Sequence, residues 1–265
     1  MVKFRQAFIS IIFVLFTLTL LFTLNITNDI PLEELKVEFK NKNSRFVEVD
    51  GIFVHYVDEG NGIPIILLHG TGASLHTWDL WSEKLKDKYR VLRITLPGFG
   101  LSGPRSDKKY KIKDYVNLLE SFVELMGIEK FYLAGNSLGG SIAWLYTSFY
   151  PKKVKKLILI NSSGFELDEM PFVIRIARNN YLNFLIKKTS PQFLIKKSLK
   201  EVFYDDNLIS KSITDRYYKL NLREGNRQAF IDRALVNYTD YTPRLKKIKS
   251  PTLILWGKND EWINV

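Results

Sequence analysis

The sequence predicts an α/β fold: a mostly parallel sheet with flanking helices and an inserted helical segment. Segments with helical apolar spacing alternate with short apolar runs that have the length of buried strands. Strands that alternate with helices form parallel sheets, because each connection crosses one face of the sheet. From residue 165 to 241 no such run occurs, which predicts a wholly helical insertion. The strand-like runs lie at residues 63–68, 91–95, 131–134, 154–160 and 251–257.

The composition narrows the possible functions. The chain has 265 residues, enough for one large or two small domains, and its 46% hydrophobic and 14% aromatic content argues against disorder. The net charge is +11, but Lys and Arg are spread along the chain, so we expect no nucleic-acid partner and a weak attraction to anionic membranes. Because there is no cysteine, disulfides, thiolate metal sites and cysteine nucleophiles are excluded.

Residues 1–29 predict a membrane anchor. Lys3 and Arg5 precede residues 7–24, an uncharged apolar run long enough to cross a bilayer. No small-residue cleavage site follows, so a single-pass transmembrane helix is favoured over a cleaved signal peptide, which would give a secreted protein. Since the cations lie on the N-terminal side, we expect a cytoplasmic N-terminus with the rest of the chain outside the cytoplasm.

The next segments lead into the sheet. Residues 30–44 are polar and charged and are interpreted as a stalk. Residues 45–58 show strand alternation interrupted by Asp50-Gly51, which indicates a hairpin. The strand at 63–68 ends in a Gly-rich loop, but the Lys-Ser/Thr ending of a phosphate-binding loop is absent. We expect His69 to order this loop rather than to transfer protons.

Residues 130–141 combine a strand, an abrupt turn and a helix around Ser137, the context of a nucleophile elbow. Gly135 and Gly139 would let the strand and helix approach closely. The helix start would direct N–H groups and a positive dipole end at whatever Ser137 attacks. With Ser137 as nucleophile, the N–H groups of Thr71 and Leu138 would form an oxyanion hole. A coincidental Gly-Ser turn is the alternative interpretation.

The second half of the chain completes the predicted organisation. Residues 45–164 form the first part of the core, 165–241 a helical cap, and 242–265 an incomplete second part. In the cap, Phe-Leu-Ile-Lys-Lys occurs at residues 184–188 and again at 193–197, which indicates two amphipathic helical turns. Packing of this face over the sheet is the main interpretation, and contact of the face with lipid is the alternative.

Four motifs occur in an order typical of the α/β-hydrolase superfamily, which the chain resembles from about residue 45 to 265. The resemblance implies a helical lid after the sixth strand and a Ser–His–Asp triad, with Ser137 as nucleophile and Asp260 as the acid. It also implies a small-molecule acyl substrate and neither cofactor nor metal. The motifs are Leu-Leu-His-Gly-Thr-Gly (67–72), Leu-Pro-Gly-Phe-Gly-Leu-Ser-Gly (96–103), Gly-Asn-Ser-Leu-Gly-Gly (135–140) and Pro-Thr-Leu-Ile-Leu-Trp-Gly-Lys-Asn-Asp (251–260).

One part of the pattern does not match. The superfamily places its triad histidine after the acid, whereas His55, His69 and His76 all precede Ser137. His76 is a weak substitute, because it lies at the entry to the first helix. We therefore expect a hydrolase cut short at its C-terminus. Three interpretations follow: a membrane-anchored serine hydrolase acting on an ester or related acyl bond, a catalytically inactive ligand-binding protein, and a nonfunctional fragment.

Overall fold

The computed structural model describes residues 2–24, 26–166 and 169–265. In this part of the chain one seven-stranded sheet has the order β1-β2-β4-β3-β5-β6-β7. β1 and β2 are antiparallel, β2 runs antiparallel to β4, and all later pairings are parallel. The predicted mostly parallel sheet is therefore confirmed. The strands are β1 (Ser44–Val49), β2 (Ile52–Glu59), β3 (Ile63–Leu68), β4 (Tyr89–Ile94), β5 (Phe131–Asn136), β6 (Val154–Ile160) and β7 (Thr252–Leu255).

Helices surround the sheet and fill the long connection between β6 and β7. Short 3-10 helices occur at Leu75–Trp78, Asp206–Leu208 and Thr242–Lys247. The α-helices are α1 (Val2–Leu24), α2 (Leu32–Phe39), α3 (Asp79–Leu85), α4 (Ile112–Leu125), α5 (Leu138–Phe149), α6 (Phe172–Arg178), α7 (Asn183–Lys188), α8 (Gln192–Val202), α9 (Lys211–Asn221) and α10 (Asn226–Ala234).

The predicted hairpin joins β1 to β2. Val49 pairs with Ile52, which leaves a two-residue connection. Its residues Asp50 and Gly51 have φ values of 51° and 75°. Two-residue hairpin turns of this kind need positive φ at both central positions, where Asp-Gly is favoured. The local sequence therefore determines this turn.

Both faces of the central strands are buried, as expected for a parallel sheet. On β3, Ile66 and Leu68 belong to the large core that includes Phe122 of α4 and Ile142 of α5. Ile65 and Leu67, which alternate with them, pack in a smaller cluster that includes Trp78. Because successive strand side chains point to opposite faces, each short apolar run supplies two layers at once.

Five of the described helices, α6 to α10, follow β6 and precede β7. Ile231 and Ala234 of α10 pack against Ala177 of α6, which gives this helical segment a small core of its own. The two Phe-Leu-Ile-Lys-Lys repeats fall on α7 and α8. The helical character of the insertion agrees with the sequence prediction.

The N-terminal prediction is wrong. Residues 2–24 form helix α1, and Phe22 near its C-terminal end contacts Phe184 of α7, with ring centroids 5.7 Å apart. Throughout residues 2–24, 26–166 and 169–265 there is no helix with the combined length and apolarity that crossing a membrane requires. The prediction rested on the length and apolarity of residues 7–24 read from the sequence, whereas α1, the helix that contains them, does not meet the combined requirement. The transmembrane helix, the membrane partner and the single-pass localisation are corrected accordingly.

Residues 30–44, interpreted as a stalk, include the packed helix α2. Its Leu35 is buried in a cluster with Leu101 and Leu220. Just before it, Asp29 accepts hydrogen bonds from Arg227 of α10, the shorter at 2.7 Å. Polar composition misled the interpretation because a few apolar side chains, Leu35 with the partly buried Leu32 and Phe39, are sufficient to dock a short helix.

Candidate active site

Ser137 lies in the sharp turn between β5 and α5. Its φ of 51° and ψ of −116° fall in a region that non-glycine residues rarely adopt. The Ser137 N–H donates to the Ile160 carbonyl at 3.1 Å, and its carbonyl accepts from Ser141 and Ser163 at 3.1 and 3.2 Å. These bonds hold the backbone in a conformation that would otherwise cost of order 1–3 kcal/mol. Such strain typically marks a functional position.

Two glycines make this turn possible. A Cβ atom at Gly135 would lie 2.1 Å from the Gly139 carbonyl oxygen, and one at Gly139 would lie 2.2 Å from the Leu68 carbonyl oxygen. Neither separation is compatible with a side chain. The spacing of the glycines around Ser137 therefore has a steric cause: β3, β5 and the start of α5 touch through their backbones.

A cavity of about 1250 Å³ opens at the carboxyl ends of the parallel strands. The structure brings all four predicted site residues to its wall: Thr71 after β3, Ser137 and Leu138 after β5, and Asp260 after β7. Ligand sites of open α/β sheets lie outside the carboxyl ends of the strands. The location agrees with that rule.

The lining of the cavity is rich in aromatic side chains, many of them from the helical segment. Ligand sites commonly combine such apolar walls with a few convergent polar groups. The aromatic lining residues are Trp78, Trp81, Tyr110, Trp144, Phe165, Phe203, Tyr204, Tyr217, Tyr238, Tyr241 and Trp262. We infer that the cavity suits a ligand with a substantial apolar part.

The loop after β3 runs beside Ser137. A Cβ at Gly70 would lie 3.1 Å from the Ser137 Cβ, so the absence of a side chain brings this loop close to the hydroxyl. Leu138 is the first residue of α5, and the N–H groups of a first helical turn have no acceptor inside their helix. Thr71 and Leu138, whose N–H groups are the predicted oxyanion donors, both line the cavity.

Asp260 is held by three donors. Its Oδ1 accepts from the N–H groups of Trp262 and Ile263 at 2.9 and 2.8 Å, and its Oδ2 accepts from the Asn161 side-chain amide. The Asn161 Oδ1 in turn accepts from the Gly257 N–H at 3.2 Å. Asn161 was not foreseen from the sequence. Its position directly after β6 is the signal that could have found it, since the other site residues also follow strand ends.

His69 has the ordering role that was expected. Its ring is fully buried: Nδ1 donates to the Gly70 carbonyl at 2.7 Å, and Nε2 accepts from the Leu96 N–H at 2.9 Å. Burial lowers the pKa of His69 to about 4, against the opposing effect of the hydrogen bond to Gly70. The neutral ring ties the loop after β3 to the loop after β4.

The other two histidines are also engaged away from Ser137. His55 Nε2 lies 2.9 Å from the Ser44 hydroxyl. Burial, followed by the nearby His76 and Arg93, lowers the pKa of His55 to about 3. His76 contacts the Ser74 hydroxyl through Nδ1 and the carbonyl of Phe39 through Nε2.

The Ser137 hydroxyl has no hydrogen-bond partner among the residues that the structure describes. Both ring nitrogens of His69 and of His76 are occupied by the contacts given above. In His55, Nε2 contacts Ser44 and Nδ1 lies 3.3 Å from the Thr95 hydroxyl. The sequence-based argument against His76 as a base therefore agrees with its geometry.

Comparisons with known proteins find similarity to hydrolases. A family model described as the alpha/beta hydrolase fold matches residues 63–264. A 2-hydroxy-6-oxononadienedioate/2-hydroxy-6-oxononatrienedioate hydrolase of Klebsiella pneumoniae is 31% identical over 241 residues, which cover 83% of this chain and 80% of the relative.

Solved structures agree with these matches. The crystal structure of a putative lipase from Acinetobacter baumannii is 29% identical, with a TM-score of 0.72, and the match covers 90% of this chain and 83% of that chain. A meta-cleavage product hydrolase from Pseudomonas fluorescens is 23% identical, with a TM-score of 0.69 and coverage of 83% and 82%, and shows the same fold.

Proposed function

The chain belongs to the alpha/beta hydrolase fold family, and we propose that it hydrolyses an ester or related acyl bond with Ser137 as the nucleophile. The observation that carries the proposal is the strained φ of Ser137, which lies in the turn between β5 and α5 and lines a large cavity. This backbone conformation presents a hydroxyl at the start of a helix, where developing negative charge is stabilised.

The proposed reaction has two stages. Ser137 Oγ attacks the carbonyl carbon, and the resulting oxyanion accepts hydrogen bonds from the N–H groups of Thr71 and Leu138. Collapse expels the leaving group and leaves an acyl-enzyme, which water then hydrolyses. Asp260 would orient an imidazole that takes the Ser137 proton, while Asn161 holds the Asp260 carboxylate.

The base of this reaction is assigned from the family pattern rather than from a contact of Ser137. The hydrogen bonds of His55, His69 and His76 argue against each of them as the proton acceptor. An imidazole held by Asp260 is what the family pattern requires. This assignment remains a prediction.

The substrate class is proposed from the cavity and from the relatives. The aromatic walls favour an acyl compound with an apolar part. The Acinetobacter structure, named as a putative lipase, supports an ester. The Klebsiella relative is named for hydrolysis of an oxo-dienedioate, so a bond next to a ketone carbonyl is the second candidate. In either case the helices α6 to α10 would act as a cap that closes the cavity.

Labelling of Ser137 tests the proposal. A fluorophosphonate probe should form an adduct on Ser137, located by mass spectrometry, and Ser137→Ala should abolish it. Ser141→Ala is the matched control, because Ser141 lines the same cavity but its hydroxyl lies 2.7 Å from that of Ser163. An adduct on another residue, or full esterase activity in Ser137→Ala, would overturn the assignment.

A catalytically inactive binding protein is the second candidate function. It is favoured by the absence, within residues 2–24, 26–166 and 169–265, of a histidine against Ser137. The labelling experiment separates the two functions, since a binding protein would leave the probe unreacted while still binding small acyl compounds.

A further inference from the structure

Arg233 on α10 is a cation in the cavity wall. Its Nε–H is shielded from solvent and donates no hydrogen bond, although the side chain as a whole is only half-buried. Burial lowers the pKa of Arg233, with the nearby Tyr115 acting in the opposite direction. A guanidinium nevertheless remains protonated at neutral pH. The cavity therefore contains a permanent positive charge.

Three of the four described buried arginines have carboxylate partners, and the fourth, Arg223, donates to the Glu224 carbonyl at 3.1 Å. Arg93 pairs with Glu59 at 2.9 Å, Arg105 with Asp107 at 2.9 Å, and Arg227 with Asp29 at 2.7 Å. For Arg233 the described part of the chain contains neither an ion pair nor a hydrogen bond. The described carboxylates of the cavity wall that could have paired with it are Glu166, Glu201, Asp260 and Glu261.

Aromatic rings are the groups that do contact this cation. The Arg233 guanidinium carbon lies 5.6 Å from the ring centre of Phe99 and 6.0 Å from that of Phe230. Cation–π contacts offset part of the cost of desolvating a guanidinium. They leave its hydrogen-bonding capacity unused, because a guanidinium has five N–H donors and no acceptor.

An unpaired cation beside a ligand-sized cavity implies a ligand that completes the pair. Removing a charge from water is unfavourable unless it is paired and hydrogen-bonded. The planar donors of arginine match the two oxygens of a carboxylate, and such pairs are among the stronger hydrogen bonds in proteins. The aromatic wall would accommodate the apolar part of the same ligand.

We propose that Arg233 binds an anionic group, a carboxylate, of the ligand that occupies this cavity. That this ligand is a substrate rests on the proposed hydrolase function. Its binding does not, since the pairing requires no chemistry at Ser137. Arg233 would then select acyl compounds that carry a free carboxylate over neutral compounds of the same shape.

Binding of a matched pair of probes tests the proposal without catalysis. The probes are 4-phenylbutanoate and its neutral isostere 4-phenylbutanamide, titrated calorimetrically into the full chain at neutral pH. We expect the carboxylate to bind at least about tenfold more tightly, the size of effect typical of a charged hydrogen bond. Arg233→Met should abolish this preference and Arg233→Lys should restore part of it. Arg175→Met is the control, because Arg175 is exposed and lies outside the cavity wall.

Thermal unfolding supplies a second readout. Without ligand, Arg233→Met should have a melting temperature equal to or above that of the wild type, because an unpaired charge is lost. Saturating 4-phenylbutanoate should raise the melting temperature of the wild type but not of Arg233→Met. If Arg233 served only to pack against Phe99 and Phe230, Arg233→Met would instead lower the ligand-free melting temperature, which would overturn the proposal.

Two further outcomes would also overturn it. One is equal binding of the carboxylate and the amide by the wild type. The other is a carboxylate preference that Arg233→Met retains in full. Failure of the proposed hydrolase function is distinguishable from both, because Ser137→Ala would leave the carboxylate preference intact.

Discussion

At the scale of single residues, the site depends on one strained serine and on histidines that serve the structure. Ser137 retains a positive φ because backbone bonds to Ile160, Ser141 and Ser163 hold it. His69 holds two loops together in its neutral form. Among the residues that could take part in chemistry, Ser137 therefore has the proposed catalytic role, whereas the histidines stabilise the fold.

The first prediction concerns the proton acceptor of Ser137, a role that none of the three histidines fills in the described part of the chain. Added imidazole should increase the hydrolysis of a p-nitrophenyl ester by the 265-residue chain, because the cavity lined by Ser137 and Asp260 is large enough to admit imidazole, which can accept the proton. The background is the rate of Ser137→Ala at each imidazole concentration. Equal imidazole dependence in the two proteins would contradict the prediction.

The second prediction concerns pH and the buried histidines. The folded-state pKa values of His55 and His69 are lowered by burial to about 3 and about 4. The unfolded chain therefore binds more protons below its ordinary histidine pKa of about 6.5. Each histidine contributes stability that is complete above that value and declines by about 1.4 kcal/mol per pH unit as the pH falls towards the folded pKa.

Denaturant unfolding at pH 7, 6 and 5 measures this effect. His69→Gln should be less stable than the wild type at pH 7, because the ring is buried, but its stability should fall less steeply between pH 6 and 5. A slope unchanged by both His55→Gln and His69→Gln would mean that other groups dominate the acid dependence.

At the scale of elements, the elbow depends on backbone contact between β5 and α5. Gly135→Ala should lower the free energy of unfolding by about 3 kcal/mol or more, since its Cβ would meet the Gly139 carbonyl oxygen at 2.1 Å. Gly127→Ala is the matched control: a Cβ there has free space, and only a φ of 64° opposes it. We expect about 1–2 kcal/mol for that strain. Chemical denaturation compares the two variants, and equal losses would refute the steric argument.

At the scale of the whole molecule, β7 leaves one edge of the sheet with apolar side chains exposed. Ile254 is 61% exposed and Leu253 is 53% exposed. An apolar edge strand is a template for pairing with another chain.

Self-association follows from that edge. Ile254→Lys should reduce concentration-dependent aggregation, because a charged side chain on an edge strand opposes strand pairing. Light scattering over a concentration series measures the effect. Val37→Lys, at an exposed position of helix α2, is the control for added charge alone. Equal improvement in both variants would show that net charge rather than the β7 edge controls solubility.

Local sequence patterns determined the sheet, the Asp50-Gly51 hairpin and the elbow. Apolar runs, turn residues and glycine spacing act over a few residues, so each can be read without the rest of the chain. The parallel order of the strands then followed from their alternation with helices. The same reliance on local apolarity produced the incorrect transmembrane helix at residues 7–24.

Only the tertiary structure decided which distant residues meet. Asn161 holds Asp260 from 99 positions away, and Leu35 docks against Leu101 and Leu220. No local pattern encodes such contacts, because they depend on how strand ends and helices converge in space. The same applies to Arg233. In the sequence it is one of many Lys and Arg residues, and only the structure shows that it has aromatic neighbours and no described carboxylate partner.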